Sequence, residues 1–522
     1  MYKILITENM GPDGTELLKQ QEDLTVDVRT GLAESELLDL LPDYDALIIR
    51  SHTDVNASVL RAGKRLKIVA RAGIGVNNID VEEATRLGIY VVNCPTGNTI
   101  SAAEHTIALM LSLCRNVPAA DATLRKNVWD KKSFTGLELH DKTLGIIGLG
   151  KIGSLVATRM MAFEMDVVAY DPYISDEKAA RLGVKRVELA ELLTVSDVIT
   201  VHTPLTEETR GMIGAEQFAL MKPTVRLVNC ARGGIYDEDA LAEALEQEQI
   251  GGFALDVFLD EPEMADRLIN LNRTVFTPHL GGSTQEALKK ISLIIAEQVM
   301  KGLRTEEFDH VVNMPVIGTD LAPSLQPFLP LADKIGVLQR HLAEGSIKEV
   351  KVSLYGELAE ASKLFAIRVL KGLLQGIVDT PINYVNAFQI AKERGIDVVE
   401  STLSVEPDFT HLIQVTVRSN LENTIQGTIF GKDPRIIGVN DYILDFTPEG
   451  NILLLRNKDV PGVIGEVATI LGTSGVNIAE WRLGRVGLDA LCVVNLDAAA
   501  PSEVISRIQQ SPNITLVRQI AL

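Results

Sequence analysis

Arg232, Glu261 and His279 each close an apolar run: Val228-Asn-Cys-Ala-Arg232, Leu255-Asp256-Val-Phe-Leu-Asp-Glu261 and Thr277-Pro-His279. An imidazole can take a hydroxyl proton near neutral pH, and a nearby carboxylate can orient it and balance the imidazolium. A guanidinium can grip a substrate carboxylate through two hydrogen bonds and polarise the oxygen beside it. These are the parts that oxidation of a hydroxy acid requires. Taken singly, each has a plainer reading: a surface ion-pair arginine, a solvated loop acid before Pro262, a loop histidine satisfied by its neighbours. Their joint appearance downstream of a glycine-rich turn changes the weighing.

That turn is Thr143-Leu-Gly-Ile-Ile-Gly-Leu-Gly-Lys-Ile-Gly153, which sets Gly148, Gly150 and Gly153 between a strand and a helix, with Lys151 and Ile152 opening the helix. Glycines at these places allow a tight turn, close approach of a pyrophosphate to the helix N–H groups, and close helix–sheet packing. Asp171 ends the next apolar run eighteen residues past Gly153. A carboxylate there accepts from both adenosine ribose hydroxyls and repels a 2′-phosphate, so NAD is expected over NADP. A purely structural glycine turn is the alternative.

The elements that must position these groups alternate between short β-rich runs and amphipathic stretches, which implies parallel α/β layers. Lys3 to Thr7, Ala46 to Ile49, Ile68 to Ala70 and Val91 to Asn93 read as a first set of strands. After a helix from about Ser101 to Cys114, a second set reads Thr143 to Gly148, Asp166 to Tyr170, Val198 to Val201, Val225 to Cys230, Gly252 to Asp256 and Thr274 to Thr277. Six such strands make a doubly wound sheet, in which ligands sit at the carboxyl ends of strands, where Arg232, Glu261 and His279 could converge. A helix from Ser283 to Gly302 and an extended Val311 to Pro315 bring the chain back toward the first set. Pro323, Pro327 and Pro330, within Gly318 to Pro330, mark a change of module. Residues 320 to 446 mix strands, among them Glu349 to Tyr355 and His411 to Val417, with helices and hold no catalytic constellation. From Gly450 the order is βαββαβ, a ferredoxin-like sandwich.

Composition excludes other classes. The 522 residues carry 50 basic and 70 acidic side chains, a formal charge of −20, so no nucleic acid and no membrane surface is expected as a partner. An anionic substrate must then be held by a few local arginines and lysines. Cys94, Cys114, Cys230 and Cys492 lie far apart, fitting a reducing, cytoplasmic setting. No histidine pair has metal-ligand spacing, so no metal is expected. No uncharged apolar run reaches the length of a membrane span.

Arg71-Ala-Gly-Ile-Gly-Val, Gly148-Leu-Gly-Lys-Ile-Gly, His202-Thr-Pro-Leu-Thr, Asn229-Cys-Ala-Arg-Gly-Gly, Asp256-Val-Phe-Leu-Asp-Glu-Pro and Thr277-Pro-His-Leu-Gly-Gly-Ser-Thr follow one another in an order that resembles the D-isomer-specific 2-hydroxyacid dehydrogenases and, within them, the long D-3-phosphoglycerate dehydrogenase branch. The resemblance implies an α/β chain with a doubly wound Rossmann NAD domain (98–283) and a flavodoxin-like substrate domain (1–97 and 284–314). It further implies an α+β intervening domain (315–446) and a ferredoxin-like ACT regulatory domain (450–522). The implied reaction is NAD-dependent oxidation of 3-phospho-D-glycerate to 3-phosphohydroxypyruvate, the first step of phosphorylated L-serine biosynthesis. Arg232, Glu261 and His279 would be catalytic, with Asp256 near the nicotinamide. Thr203, Cys230, Ala231, Gly281 and Gly282 would line the cofactor cleft. Arg50, Ser51 and Arg71 would meet substrate, and Lys131 and Lys132 would reach the phosphate of a neighbouring subunit, a solvated charge pair being the alternative.

The tail resembles ACT domains, which bind amino acids between paired copies. Asp459 would accept from the ammonium group of an effector, L-serine by resemblance, with Asn477 supplying an amide, in a homo-oligomer that is a dimer or a tetramer. Asn457 would be the third effector-binding residue, although it stands where His or Tyr is more usual in such domains. A purely structural pairing domain is the alternative. Asn77, Ile74 and Arg226 also depart from the family pattern; Ile74 leaves only backbone for a cofactor contact. The competing functions are a dehydrogenase for glycerate or lactate, against which the two extra domains argue, and a dinucleotide sensor without turnover, against which the intact triplet argues.

Overall fold

The computed structural model of the chain describes residues 1–262, 266–314, 322–377, 381–403 and 409–522. The first sheet is parallel, built from β1 (Tyr2–Ile6), β2 (Leu24–Val28), β3 (Ala46–Ile49), β4 (Ile68–Arg71) and β5 (Tyr90–Val92) in the order β2-β1-β3-β4-β5. Its central strands are unbroken apolar runs because both faces are covered, and Ile4, Leu47, Ile48, Ile68 and Val69 are fully buried. Strand β2 was not expected from the sequence: it is an edge strand in which Thr25 and Asp27 alternate with apolar residues and only Leu24 is buried.

The second sheet has β6 (Thr143–Ile147), β7 (Asp166–Tyr170), β8 (Lys185–Arg186), β9 (Val198–Val201), β10 (Arg226–Asn229), β11 (Gly252–Leu255) and β12 (Thr274–Phe276). All are parallel, in the order β12-β11-β10-β9-β6-β7-β8, so the chain winds outward in both directions from β6. This is the doubly wound arrangement, with one strand more than expected: β8 is two exposed residues at the edge. The switch between β6 and β9 opens a crevice at the carboxyl ends of the strands.

Arg226, for which the sequence offered no account, is the first residue of β10. Its guanidinium turns back on the carbonyl of Thr224 at 2.9 Å and lies where a Cβ at Gly251 would fall. The helix Gln285–Thr305 then runs back to the first sheet, burying Ile291, Ile295 and Val299 in that core, and Val311 bridges Val92.

Pro315 and the start of the proline-marked stretch at Gly318 lie outside the described residues. Beyond them, the helix Phe328–Leu342 begins directly after Pro327 with Pro330 in its first turn, where a missing N–H costs nothing. It packs with the helix Ser362–Leu374 on a six-stranded sheet of β13 (Glu349–Tyr355), β14 (Asp397–Thr402), β15 (Leu412–Arg418), β16 (Glu422–Phe430), β17 (Asp433–Val439) and β18 (Tyr442–Phe446). Only β13 and β14 pair in parallel; the other neighbours are antiparallel.

The last sheet, β19 (Asn451–Lys458), β20 (Ile478–Val486), β21 (Asp489–Leu496) and β22 (Ile514–Ala521), is antiparallel in the order β20-β21-β19-β22. With the helices Val463–Thr473 and Ser502–Gln509 it is the expected βαββαβ sandwich. Leu453 and Leu455 face those helices, whereas Ile452 and Leu454 point the other way into the core shared with Leu444 and Phe446. The tail is therefore joined to the preceding domain through packed apolar side chains. No described helix is long and apolar enough to cross a membrane.

Candidate active site

The loop after β6 has the geometry that a bound pyrophosphate needs. Gly148 takes a φ of 92°, which only glycine adopts freely, and a Cβ on it would lie 2.8 Å from the His202 carbonyl oxygen. A Cβ on Gly153 would strike the Gly148 carbonyl at 2.2 Å, so the helix Lys151–Met161 can approach its strand only with glycine there. Nothing lies within 4 Å of a Cβ built on Gly150, which leaves the helix N-terminus, with Lys151 and Ile152, open to an anion.

Asp171 follows β7 and accepts from Leu149 N at 2.9 Å and from Tyr173 N at 2.9 Å, so its carboxylate is fixed beside the glycine loop. Across the crevice, Thr203 Oγ1 and His202 Nδ1 are buried polar atoms without a protein partner among the described residues. Burial pulls the His202 imidazole down to about 4, so it is neutral at pH 7. An acidic rim, a glycine cradle and unpaired hydroxyl and imidazole groups fit an NAD molecule laid across the switch point.

His279 and Glu261 meet. The His279 Nδ1 lies 2.6 Å from Glu261 Oε2, while Glu261 Oε1 accepts from Phe258 N at 3.0 Å. Burial alone would raise the Glu261 carboxyl, but the His279 contact and the Phe258 N–H outweigh it and hold the group below the usual carboxylate range. His279 adopts a φ of 56°, a left-handed conformation that L-residues take only when held in place.

Asp256 supplies the hold. Its carbonyl accepts from His279 N at 2.9 Å, and its carboxylate accepts from Leu280 N at 2.7 Å, Gly281 N at 2.8 Å and Thr277 Oγ1 at 2.6 Å. The group is 1% exposed; desolvation opposes its charge, yet the hydrogen bonds keep it below the usual carboxylate range. Cys230 touches the same carboxylate at 3.5 Å, and burial, with Asp256, pushes its thiol up, so it stays protonated. Cys230 packs against Gly281, where a Cβ would meet its Sγ at 2.8 Å, and Ala231 follows it on the same loop, whereas Gly282 packs on Asn98.

Arg232 leaves the end of β10 toward the first sheet. A Cβ on Gly75 would sit 3.0 Å from its Nη2, and its Nη1 is anchored to the Ala231 carbonyl at 2.6 Å. Arg71, at the end of β4, is largely buried with its Nε unpaired, and burial, Arg232 and Arg50 together pull its guanidinium down to about 10. Three cations thus press on one another between the two sheets, which is costly unless an anion joins them.

Glu8, which the sequence did not single out, supports this cluster. Its carboxylate accepts from the backbone N–H of Arg50, His52 and Thr53, fixing the loop that carries Arg50. Only the fold reveals it, because forty-two residues separate it from Arg50. Ser51 is exposed beside Arg50.

The remaining expected site residues lie apart. Lys131 and Lys132 are exposed in the loop after the helix Val117–Arg125, and no contact joins them to the arginine cluster among the described residues. In the last domain, Asp459 pairs with Arg485 at 3.0 Å and Asn477 with Asp497 at 2.7 Å, both near the surface. Asn457 is different: it is 3% exposed, donates to the Lys458 carbonyl and accepts from Cys492 Sγ. Its position on β19 turns it toward the helices, so its amide is spent inside the sandwich and does not face an effector from solvent. Among the described residues no cluster of three metal-ligating groups occurs.

Residues 107–281 match the model of the D-isomer specific 2-hydroxyacid dehydrogenase NAD binding domain, and residues 324–440 match that of the D-3-phosphoglycerate dehydrogenase intervening domain. D-3-phosphoglycerate dehydrogenase of Methanocaldococcus jannaschii is 44% identical across all of both chains. The Synechocystis protein of that name is 42% identical over 98% of this chain and 94% of its own, and the Bacillus subtilis one 38% identical over all of both. Among solved structures, D-lactate dehydrogenase of Aquifex aeolicus, complexed with NAD and lactic acid, aligns with a TM-score of 0.53 at 29% identity, over 60% of this chain and 100% of that one.

Proposed function

The chain belongs to the D-3-phosphoglycerate dehydrogenases, a branch of the D-isomer-specific 2-hydroxyacid dehydrogenase family, and from that premise we propose how its own residues carry the reaction. The enzyme oxidises 3-phospho-D-glycerate to 3-phosphohydroxypyruvate with NAD, the step that opens phosphorylated L-serine biosynthesis. NAD, when bound, supplies the acceptor for the hydride leaving C2. Everything else falls to protein groups.

His279 uses Nδ1 toward Glu261, so Nε2 is the atom left to take the proton of the substrate hydroxyl. Glu261, held charged below the usual carboxylate range, balances the imidazolium that forms. Arg232 grips the substrate carboxylate and polarises the C2 oxygen as it becomes a carbonyl. Arg71 and Arg50 receive the phosphate, which explains how a chain of formal charge −20 binds a multiply charged anion. Gly148, Gly150 and Gly153 hold the pyrophosphate, Asp171 the adenosine ribose, and Thr203, Asp256, Gly281 and Gly282 the nicotinamide side.

The observation that carries this reading is the 2.6 Å His279–Glu261 contact, with the Arg50, Arg71 and Arg232 cluster at the same cleft. The test is NADH consumption with a panel of 2-keto acids. Phosphohydroxypyruvate should give the highest kcat/KM by at least about tenfold. A preference for hydroxypyruvate or pyruvate would assign the arginines another role, and no turnover with any acid would favour a dinucleotide sensor.

We further place the chain in the cytoplasm, in keeping with four buried free cysteines. It acts as a homo-oligomer, either dimer or tetramer. The helix Val117–Arg125 buries none of its residues and, with Leu124, Val128 and Trp129, offers an apolar surface suited to a second copy. Lys131 and Lys132 leave that surface and would reach a partner's substrate. L-serine is the proposed effector, bound by Asp459 and Asn477 at paired last domains, without direct help from Asn457. The domain limits 1–97 with 284–314, 98–283, 315–446 and 450–522 are the division that this reading uses.

A further inference from the structure

The helix Thr99–Cys114 turns one face to the loop that carries His279. Asn98, at its N-cap, lies where a Cβ on Gly282 would fall, its Nδ2 2.6 Å away. Ser101 Oγ meets Thr284 Oγ1 at 2.8 Å, and Ala102 backs Gly281. One turn further, His105 Nε2 reaches both Asp256 Oδ1 at 3.2 Å and Thr277 Oγ1 at 3.0 Å. Residues 98, 101, 102 and 105 follow the helical spacing i, i+3, i+4, i+7, so a single stripe reads the whole 277–284 loop.

An ionised carboxylate can only accept, so the His105 contact to Asp256 requires its proton on Nε2. Thr277 donates its own hydroxyl hydrogen to Asp256, leaving its oxygen to share the same imidazole N–H. His105 therefore closes a ring of donors around Asp256, the group whose carbonyl and carboxylate hold His279, Leu280 and Gly281. The side chain is 21% exposed, so it is neither a core filler nor a free surface histidine.

We propose that His105 is a positioning residue for the reaction: it locks Asp256, and through it holds the strained His279 backbone in the place where Nε2 meets the substrate hydroxyl. This rests on His279 as the proton acceptor. Gly97, just before the Asn98 N-cap of the same helix, packs on Ile291 of the helix that returns to the first sheet, so the stripe is anchored at its start as well.

The test compares His105→Leu, His105→Gln and His105→Asn in the full-length enzyme. Gln can carry a donor to the Nε2 position, whereas Asn falls short of it. Expected for Leu and Asn is a loss of kcat of about tenfold or more, with NADH affinity by calorimetry and KM for 3-phosphoglycerate within about threefold, and restoration by Gln to within about threefold of the wild type. Wild-type kcat in the Asn variant, or Gln no better than Asn, would overturn the proposal; should Leu fail to fold, the Gln and Asn pair decides alone. His279→Ala in parallel separates the two ideas. If it retains full activity, the assignment of the proton acceptor is wrong, whereas an inactive His279→Ala beside a fully active His105→Asn removes only the role of His105.

Discussion

Glu261 Oε2 stands 2.6 Å from His279 Nδ1, and the two residues come from different loops, one following β11 and the other β12. In the proposed reaction the contact would leave Nε2 for the substrate hydroxyl and keep a negative charge beside the ring. Glu261→Gln keeps the shape and removes the charge. It should lower kcat by about tenfold or more while leaving NADH affinity within about twofold, read by steady-state rates and calorimetry.

Cofactor choice follows from Asp171. Its carboxylate is already pinned beside the glycine loop by Leu149 N, so it cannot swing away from a 2′-phosphate. Wild type should prefer NADH over NADPH by about a hundredfold or more in kcat/KM, and Asp171→Ser should narrow that ratio by about tenfold. The ratio of initial rates with the two cofactors checks this.

Arg71 has a guanidinium weakened by burial and by two like charges, a repulsion that the phosphate of the proposed substrate would relieve. Arg71→Ala should raise KM for 3-phosphoglycerate by about tenfold or more with a smaller change in kcat, and leave KM for NAD near its wild-type value. Titration of each substrate at saturation of the other checks the split.

The Asp256 carboxyl is held below its ordinary 3.8 in the folded chain, by hydrogen bonds that overcome desolvation. The folded value is depressed, so its contribution to stability is complete above pH 3.8 and is lost as pH falls through the lower folded value. Asp256→Asn should lower Tm at pH 7, and the gap to wild type should shrink below about pH 4. Thermal melts across that range give the sign.

Asp459 pairs with Arg485 at the open edge of the last domain. Asp459→Ala should weaken L-serine binding by about tenfold, without changing KM for NAD. Calorimetry with serine on the intact protein measures it. Deleting the domain is a poorer test, because Ile452 and Leu454 help to complete the core of the preceding one.

The glycine loop, Asp171 and the Arg, Glu and His triplet were legible in the sequence because each lies at the end of a strongly apolar parallel strand, where pattern and chemistry coincide. Strand β2 was not, since an edge strand half open to water carries no clear apolar signal. Strands β16, β17 and β18 escaped too, as their alternating polar residues resemble loops. Groups that act through others left no local mark: Glu8 meets Arg50 and His105 meets Asp256 across long stretches of chain, and only the packing of the helix Thr99–Cys114 on the catalytic loop brings the second pair together. Asn457 failed as a surface contact for a simpler reason. The alternation along β19 turns it inward.

The central claim is that His279 moves the proton in 3-phosphoglycerate oxidation, and single-turnover reduction of NAD by His279→Ala tests it most directly. With both ligands saturating and NADH affinity unchanged, the rate should fall by about a hundredfold or more. A wild-type rate in that variant would contradict the account and require another group to take the proton.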